Sequence, residues 1–271
     1  MTDPLSLIAL GAAVGGATGK FVEKAWDSGE RWITNYFSDH RPKAIAQAQA
    51  NSLEFVQELA TRVKRLEEKG SVSKEQLEAA QEQPDFSVAL QKAMLTAAQT
   101  SDSQKHQLLA VILSERLQSS TDSLRALASK MALDVIGYVT PNQLKLLALA
   151  ADLLCVNPSS LLSREQFIQW FDTRFSVYQE LAFTNLDLIH LESISCLKQT
   201  TFLSRDLSAI LSQKANGNLD QALLTSQLGK HIQVLWEQGL QAVDLTSVGQ
   251  LIGVSTSDLL SGGATSFSGW D

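Results

Sequence analysis

The chain has 271 residues, 44% of them hydrophobic and 19% charged, with a formal net charge of -7 at pH 7. Such a composition excludes a disordered chain, and the length suffices for one extended helical domain or two smaller ones. The acidic balance argues against a broad nucleic-acid or anionic-membrane surface, and Cys155 and Cys196 lack the spacing of a redox or zinc motif, which leaves two reduced thiols inside apolar helical patterns.

Leu5 to Gly19, LSLIALGAAVGGATG, carries no charge and spaces Gly11, Gly15 and Gly19 four apart. On one helix these glycines share a face on which a second backbone can approach closely. Each also weakens an isolated helix by roughly 1 kcal/mol relative to alanine, so the stretch needs support from a partner chain, a membrane or the body of the protein. It is shorter than the roughly 20 apolar residues that span a bilayer and is followed at once by Lys20, Glu23 and Lys24, and no basic segment precedes it as in a secretory signal. Phe21, Trp26, Trp32 and Tyr36 come next, interleaved with charges. These rings can lock the N-terminal helix to a helical body or sit at a membrane interface, and Glu23, Asp27, Glu30 and Asp39 favour the first use. His40-Arg41-Pro42 breaks the segment.

From Lys43 to Lys69 strong helix formers place Val56, Leu59, Val63 and Leu66 on one stripe, too short for a coiled coil and suited to a bundle. Capping boxes are predicted at Ser73 to Gln76, Ser101 to Gln104, Thr140 to Gln143 and Ser163 to Gln166. The helices they open are expected to bury Phe86, Leu90, Ala93 and Ala97; Leu109, Ile112 and Leu113; Leu124, Leu127, Met131 and Val135; Leu144, Leu147, Ala151 and Leu154; and Phe167, Trp170, Phe171 and Phe175, with Tyr178 beyond. Phe183 to Thr201 fits a short helix or two strands. Three compact helices follow, at 204–213, 218–228 and 230–238, with a cap at Asn218 to Gln221. A short strand at 240–243 and a last helix from about Asp244 through Ile252 make this module compatible with a winged-helix-like shape. Gly262 to Gly269 has the composition of a mobile tail.

No coherent catalytic constellation emerges. GAAVGG at 11–16 lacks dinucleotide spacing, no phosphate-loop, nucleophile-elbow or HExxH sequence occurs, and His40, His106, His190 and His231 are scattered. Residues 204–271 offer Arg205, Lys214 and Lys230 as their basic side chains, too few for a DNA-reading module.

The fold expected is all-α or predominantly α, an irregular multi-helix bundle. Its parts are a glycine-rich association segment at 1–40, a helical body at 41–182, a mainly helical module at 183–260 and a tail at 261–271. The function expected is that of a non-enzymatic structural or interaction protein without cofactor or metal, cytoplasmic, self-associating through Gly11, Gly15 and Gly19 with Phe21, Trp26, Trp32 and Tyr36 beside them. The alternatives are a membrane-active effector using residues 1–37, peripheral to the membrane, and, below it, a nucleic-acid-binding regulator using 204–252.

Overall fold

The computed structural model describes residues 15–120, 122–158, 162–200, 202, 204–263 and 265. These residues are mainly helical, with a single two-stranded sheet among them. One compact unit ends at Tyr138 and a second begins at Val139, a division that falls inside the span 41–182 expected to be one body.

In the first unit, α1 covers Gly16–Tyr36. A helix running unbroken through Gly15 is not formed, because Gly15 and Gly16 have φ of 64° and 62°. Without Cβ atoms, two successive glycines enter the left-handed region at little cost, and the chain turns into the helix there. α2 covers Pro42–Glu68, opening with Pro42 at a first-turn position after extended Arg41. Its Val56, Leu59 and Val63 are fully buried, as their spacing predicts. α3, Lys74–Glu82, starts from the Ser73 capping box with both reciprocal bonds made. α4 covers Pro84–Ala98 and α5 covers Ser103–Arg116. The cap of α5 is Asp102, not Ser101: its carboxylate accepts from the Gln104 N–H at 2.9 Å. α6 covers Leu124–Val135 behind the Ser123 cap.

The second unit is built around α7, Pro141–Leu154, which starts from the Thr140 capping box and is buried from Gln143 through Leu153 except at Lys145. α8, Arg164–Phe175, starts from the Ser163 box. The ambiguous segment after it resolves into helix α9, Asn185–Ser193, and strand β1, Leu197–Gln199. Then come α10 at Leu207–Lys214, α11 at Gln221–Thr225 and α12 at Gln227–Glu237. α11 is capped by Asp220 in place of Asn218, since the Asp220 carboxylate accepts from the Ala222 N–H at 2.9 Å. β2, Val243–Leu245, pairs antiparallel with β1, with Leu197 opposite Leu245 and Gln199 opposite Val243. No further strand follows β2 among the described residues, so a wing is missing from the order otherwise compatible with a winged-helix-like module.

α13, Ser247–Ser261, extends well past the expected end at Ile252 and packs along α7. Gly249, Gly253 and Ser257 form a row four apart on it. A Cβ at Gly253 would lie 2.4 Å from the Leu147 carbonyl oxygen, and one at Gly249 only 1.7 Å from that of Cys196. Close backbone contact of the kind anticipated for the N-terminal glycines is therefore realised here. Gly262 ends α13 in the left-handed conformation, φ 69°, where a residue without Cβ is unstrained.

Candidate functional site

The N-terminal association residues divide between core and surface. Gly11 lies outside the described residues, Gly15 caps α1 with its carbonyl accepting from the Gly19 N–H at 2.9 Å, and Gly19 is buried. Phe21 is buried, with its ring 5.9 Å from that of Phe86 on α4, and Trp26 is buried as well. Thr18 donates to Glu67 near the end of α2. Core packing thus accounts for Phe21 and Trp26. Trp32 is half-buried on the wall of a cleft of about 290 Å³ between α1, α3 and α4, and Tyr36 is exposed with its ring 5.0 Å from Phe37.

An apolar surface lies elsewhere in this unit, on α6. Leu124, Leu127, Met131 and Val135 are expected to face the core, but the first three are 52%, 51% and 50% exposed. The buried side consists of Ala126, Ala128, Ser129, Ala132 and Leu133. Ion pairs accompany this rotation. Lys130 donates to Asp85, Lys92 to Asp134 at 2.6 Å, and Arg125 lies 3.6 Å from Glu115. Asp85 also accepts from Arg116 at 2.6 Å, and Lys130 and then Arg116 hold its carboxyl below the usual range. Turning the leucines inward would break these pairs and force bulky side chains where alanine and serine now fit. Periodicity identifies the residues that share a face but not which face is inside; here the small, closely packing side wins.

The second unit contains a buried polar cluster that the sequence reading passes over. Asp152 of α7 is 0% exposed. Its Oδ1 accepts from Arg174 Nε at 2.7 Å, its Oδ2 from the Tyr178 hydroxyl at 2.7 Å, and both oxygens lie within reach of the Ser257 hydroxyl at 2.7 and 2.8 Å. Arg174 further donates to Asp258 at 3.1 Å and to Thr265 at 3.3 Å. Burial pushes the Asp152 carboxyl upward against the opposing pull of Arg174 and the hydroxyl donors. Burial, reinforced by Asp152, pushes the Tyr178 phenol well above its ordinary value. Arg174 stays cationic, since Asp152 and Asp258 outweigh the effect of its own burial.

Asp152, Tyr178 and Ser257 are all closed to solvent, and the cluster ties α7, α8 and α13 together. A cleft of about 430 Å³ lined by Gln166, Trp170 and Thr173 borders Arg174, whose Nε and Nη2 donate to Asp152 and Asp258. Two sequence signals mark the cluster: a single acid in the apolar run ALAADLLC, and the Gly249, Gly253, Ser257 row. Nearby, Lys214 donates to the Val156 carbonyl and lies 3.3 Å from Asn157 Oδ1, just beyond the end of α7. Burial lowers this amine to about 8.

The histidines do not form a site. His106 is buried with Nε2 2.9 Å from the Thr100 carbonyl, and His231 Nε2 lies 3.0 Å from the Tyr178 carbonyl. Among the described residues no group of three or more His, Cys, Asp or Glu could hold a metal ion, and no helix is long and apolar enough to cross a membrane. Both cysteines are free, and burial raises the Cys196 thiol to about 12. On α12, where a reading helix would present cations, the exposed row is Gln227, Lys230, Val234 and Glu237.

A protein-family model, of a family with no assigned function, matches residues 19–233, a span that includes α6, Asp152 and Arg174 and ends before α13. No curated protein and no solved structure matches the chain.

Proposed function

The chain belongs to this family of unknown function, and from that premise we propose that it is a non-enzymatic structural or interaction protein. The observation that carries this reading is α6, where Leu124, Leu127 and Met131 face solvent while alanines and a serine face the core. Large apolar side chains in a continuous exposed row mark a contact surface more often than scattered single residues do. The pairing of Asp152 with Arg174 and Tyr178 supports the same reading, because it leaves that cluster as a clamp. The cytoplasm is the compartment we assign, where free Cys155 and Cys196 stay reduced.

Methionine oxidation tests the reading with an internal control. Met131 is half exposed and Met94 is fully buried. In dilute purified protein Met131 oxidises readily and Met94 does not. In extract of the cells that make the protein, an occupied α6 face slows Met131 oxidation by at least about threefold. Equal Met131 rates in both settings would reject an interaction role for this surface.

A further inference from the structure

We propose that the cleft beside α8 is a binding site for a planar, uncharged heterocyclic amide with a ring of pyrimidine size. This inference is independent of the α6 face. The wall of the cleft is one side of α8, where Gln166, Gln169, Trp170 and Thr173 follow at spacings of three, one and three and so share a face. Gly263, just beyond the end of α13, lines it as well.

Arg174 supplies the directional group. Its side chain is buried, Nε donates to Asp152 and Nη2 to Asp258 and Thr265, and among the described residues Nη1 has no acceptor. A buried donor without a partner is uncommon, because the missing bond leaves the cost of its desolvation uncompensated. A Cβ on Gly263 would come within 3.1 Å of Nη1. Glycine at this position therefore leaves Nη1 uncovered toward the cleft that both residues line.

Charge decides which acceptor fits. The guanidinium already holds two carboxylates, Asp152 at 2.7 Å and Asp258 at 3.1 Å. An incoming anion would meet one positive charge and two negative ones, and the other side chains lining the cleft are uncharged. A neutral carbonyl oxygen takes the Nη1 hydrogen bond without that repulsion. The side-chain amides of Gln166 and Gln169 each offer a donor and an acceptor, which suits a ring N–H beside a ring carbonyl. Trp170 provides the flat surface. It is half-buried and its ring lies 5.4 Å from Phe167 and 5.9 Å from Phe175, so a stacking platform is ordered before a ligand arrives. At about 430 Å³ the cleft has the size of a small-molecule site.

Uracil is the probe, compared with orotate, the same ring bearing a carboxylate, and with dihydrouracil, the same polar groups on a puckered ring. Saturation-transfer NMR on the full chain reads all three. Uracil binds with a Kd of about 0.1–1 mM. Orotate, repelled by the two carboxylates, and dihydrouracil, unable to stack, each bind at least about fivefold more weakly. Gly263→Val, which covers Nη1 from an exposed position outside the helices, weakens uracil by at least about fivefold with helical circular dichroism unchanged. Gln166→Ala, at an exposed position on α8, also weakens it.

Uracil that shows no saturation transfer at about 5 mM overturns the proposal. Binding that both variants leave unchanged overturns it as well, since the ligand then sits elsewhere. Orotate or dihydrouracil that binds as tightly as uracil has the same effect, because charge and planarity are what select the ligand.

Discussion

α13 and α6 both turn small side chains toward their neighbours, but they differ in what covers the opposite side. On α13, Gly249, Gly253 and Ser257 approach their neighbours while Leu251, Ile252 and Val254 are buried as well. On α6, Ala126, Ala128, Ser129 and Ala132 pack inward and the leucines opposite them stay in solvent. Small residues set how near two helices come. Whether the large residues are then covered depends on how many layers the unit places around the helix, and α6 is packed from one side. The same packing mode therefore yields a structural spine in one place and a surface row in the other.

The largest expected effect comes from filling the α13 row. Gly253→Val puts a branched side chain where even a Cβ meets the Leu147 carbonyl at 2.4 Å. Urea unfolding should show a loss of roughly 4 kcal/mol or more, or an insoluble product; a loss under about 1 kcal/mol would mean that α7 and α13 are not in backbone contact. Next is the clamp. Asp152→Ala leaves Arg174 with Asp258 as its remaining acidic partner and deprives Tyr178 and Ser257 of their acceptor, and should cost about 3–5 kcal/mol in the same assay.

Ala132→Leu probes the inner side of α6, where overpacking should cost about 1–3 kcal/mol. Lys214 gives the pH-dependent test. Its folded value of about 8 lies below the ordinary 10.5, so between these values the unfolded chain binds more protons than the folded one. Its destabilising contribution is full below pH 8 and fades as pH rises toward 10.5. Relative to Lys214→Met, wild type should therefore gain roughly 1–2 kcal/mol across that window, a figure reduced from the full shift because the side chain is not fully buried. A flat difference would show that the amine is solvated. Smallest of all, Leu127→Ser in dilute solution should change stability by no more than about 0.5 kcal/mol. A loss of several times that would place Leu127 in the core and erase the contrast with α13.

The helices and many of their starts are legible in the sequence. The Ser73, Thr140 and Ser163 boxes form where their spacing predicts, because such caps depend on atoms within one turn. At the start of α5 two neighbouring polar residues compete and Asp102 takes the role. At the N-terminus the spacing of Gly11, Gly15 and Gly19 is helical, but Gly15 and Gly16 are consecutive, and two residues freed from Cβ restraint form a turn into the helix.

Local chemistry by itself determined the helical class, most caps and the grouping of apolar residues into faces, since these depend on separations of three or four residues. Tertiary structure decided which face points inward. The rotation of α6 is accompanied by ion pairs to Asp85, Lys92 and Glu115 from other helices, and the Asp152 clamp joins residues as far apart in the chain as Ser257. No periodicity encodes such pairings, because they are fixed by which helices become neighbours and by the cost of leaving a buried charge without a partner.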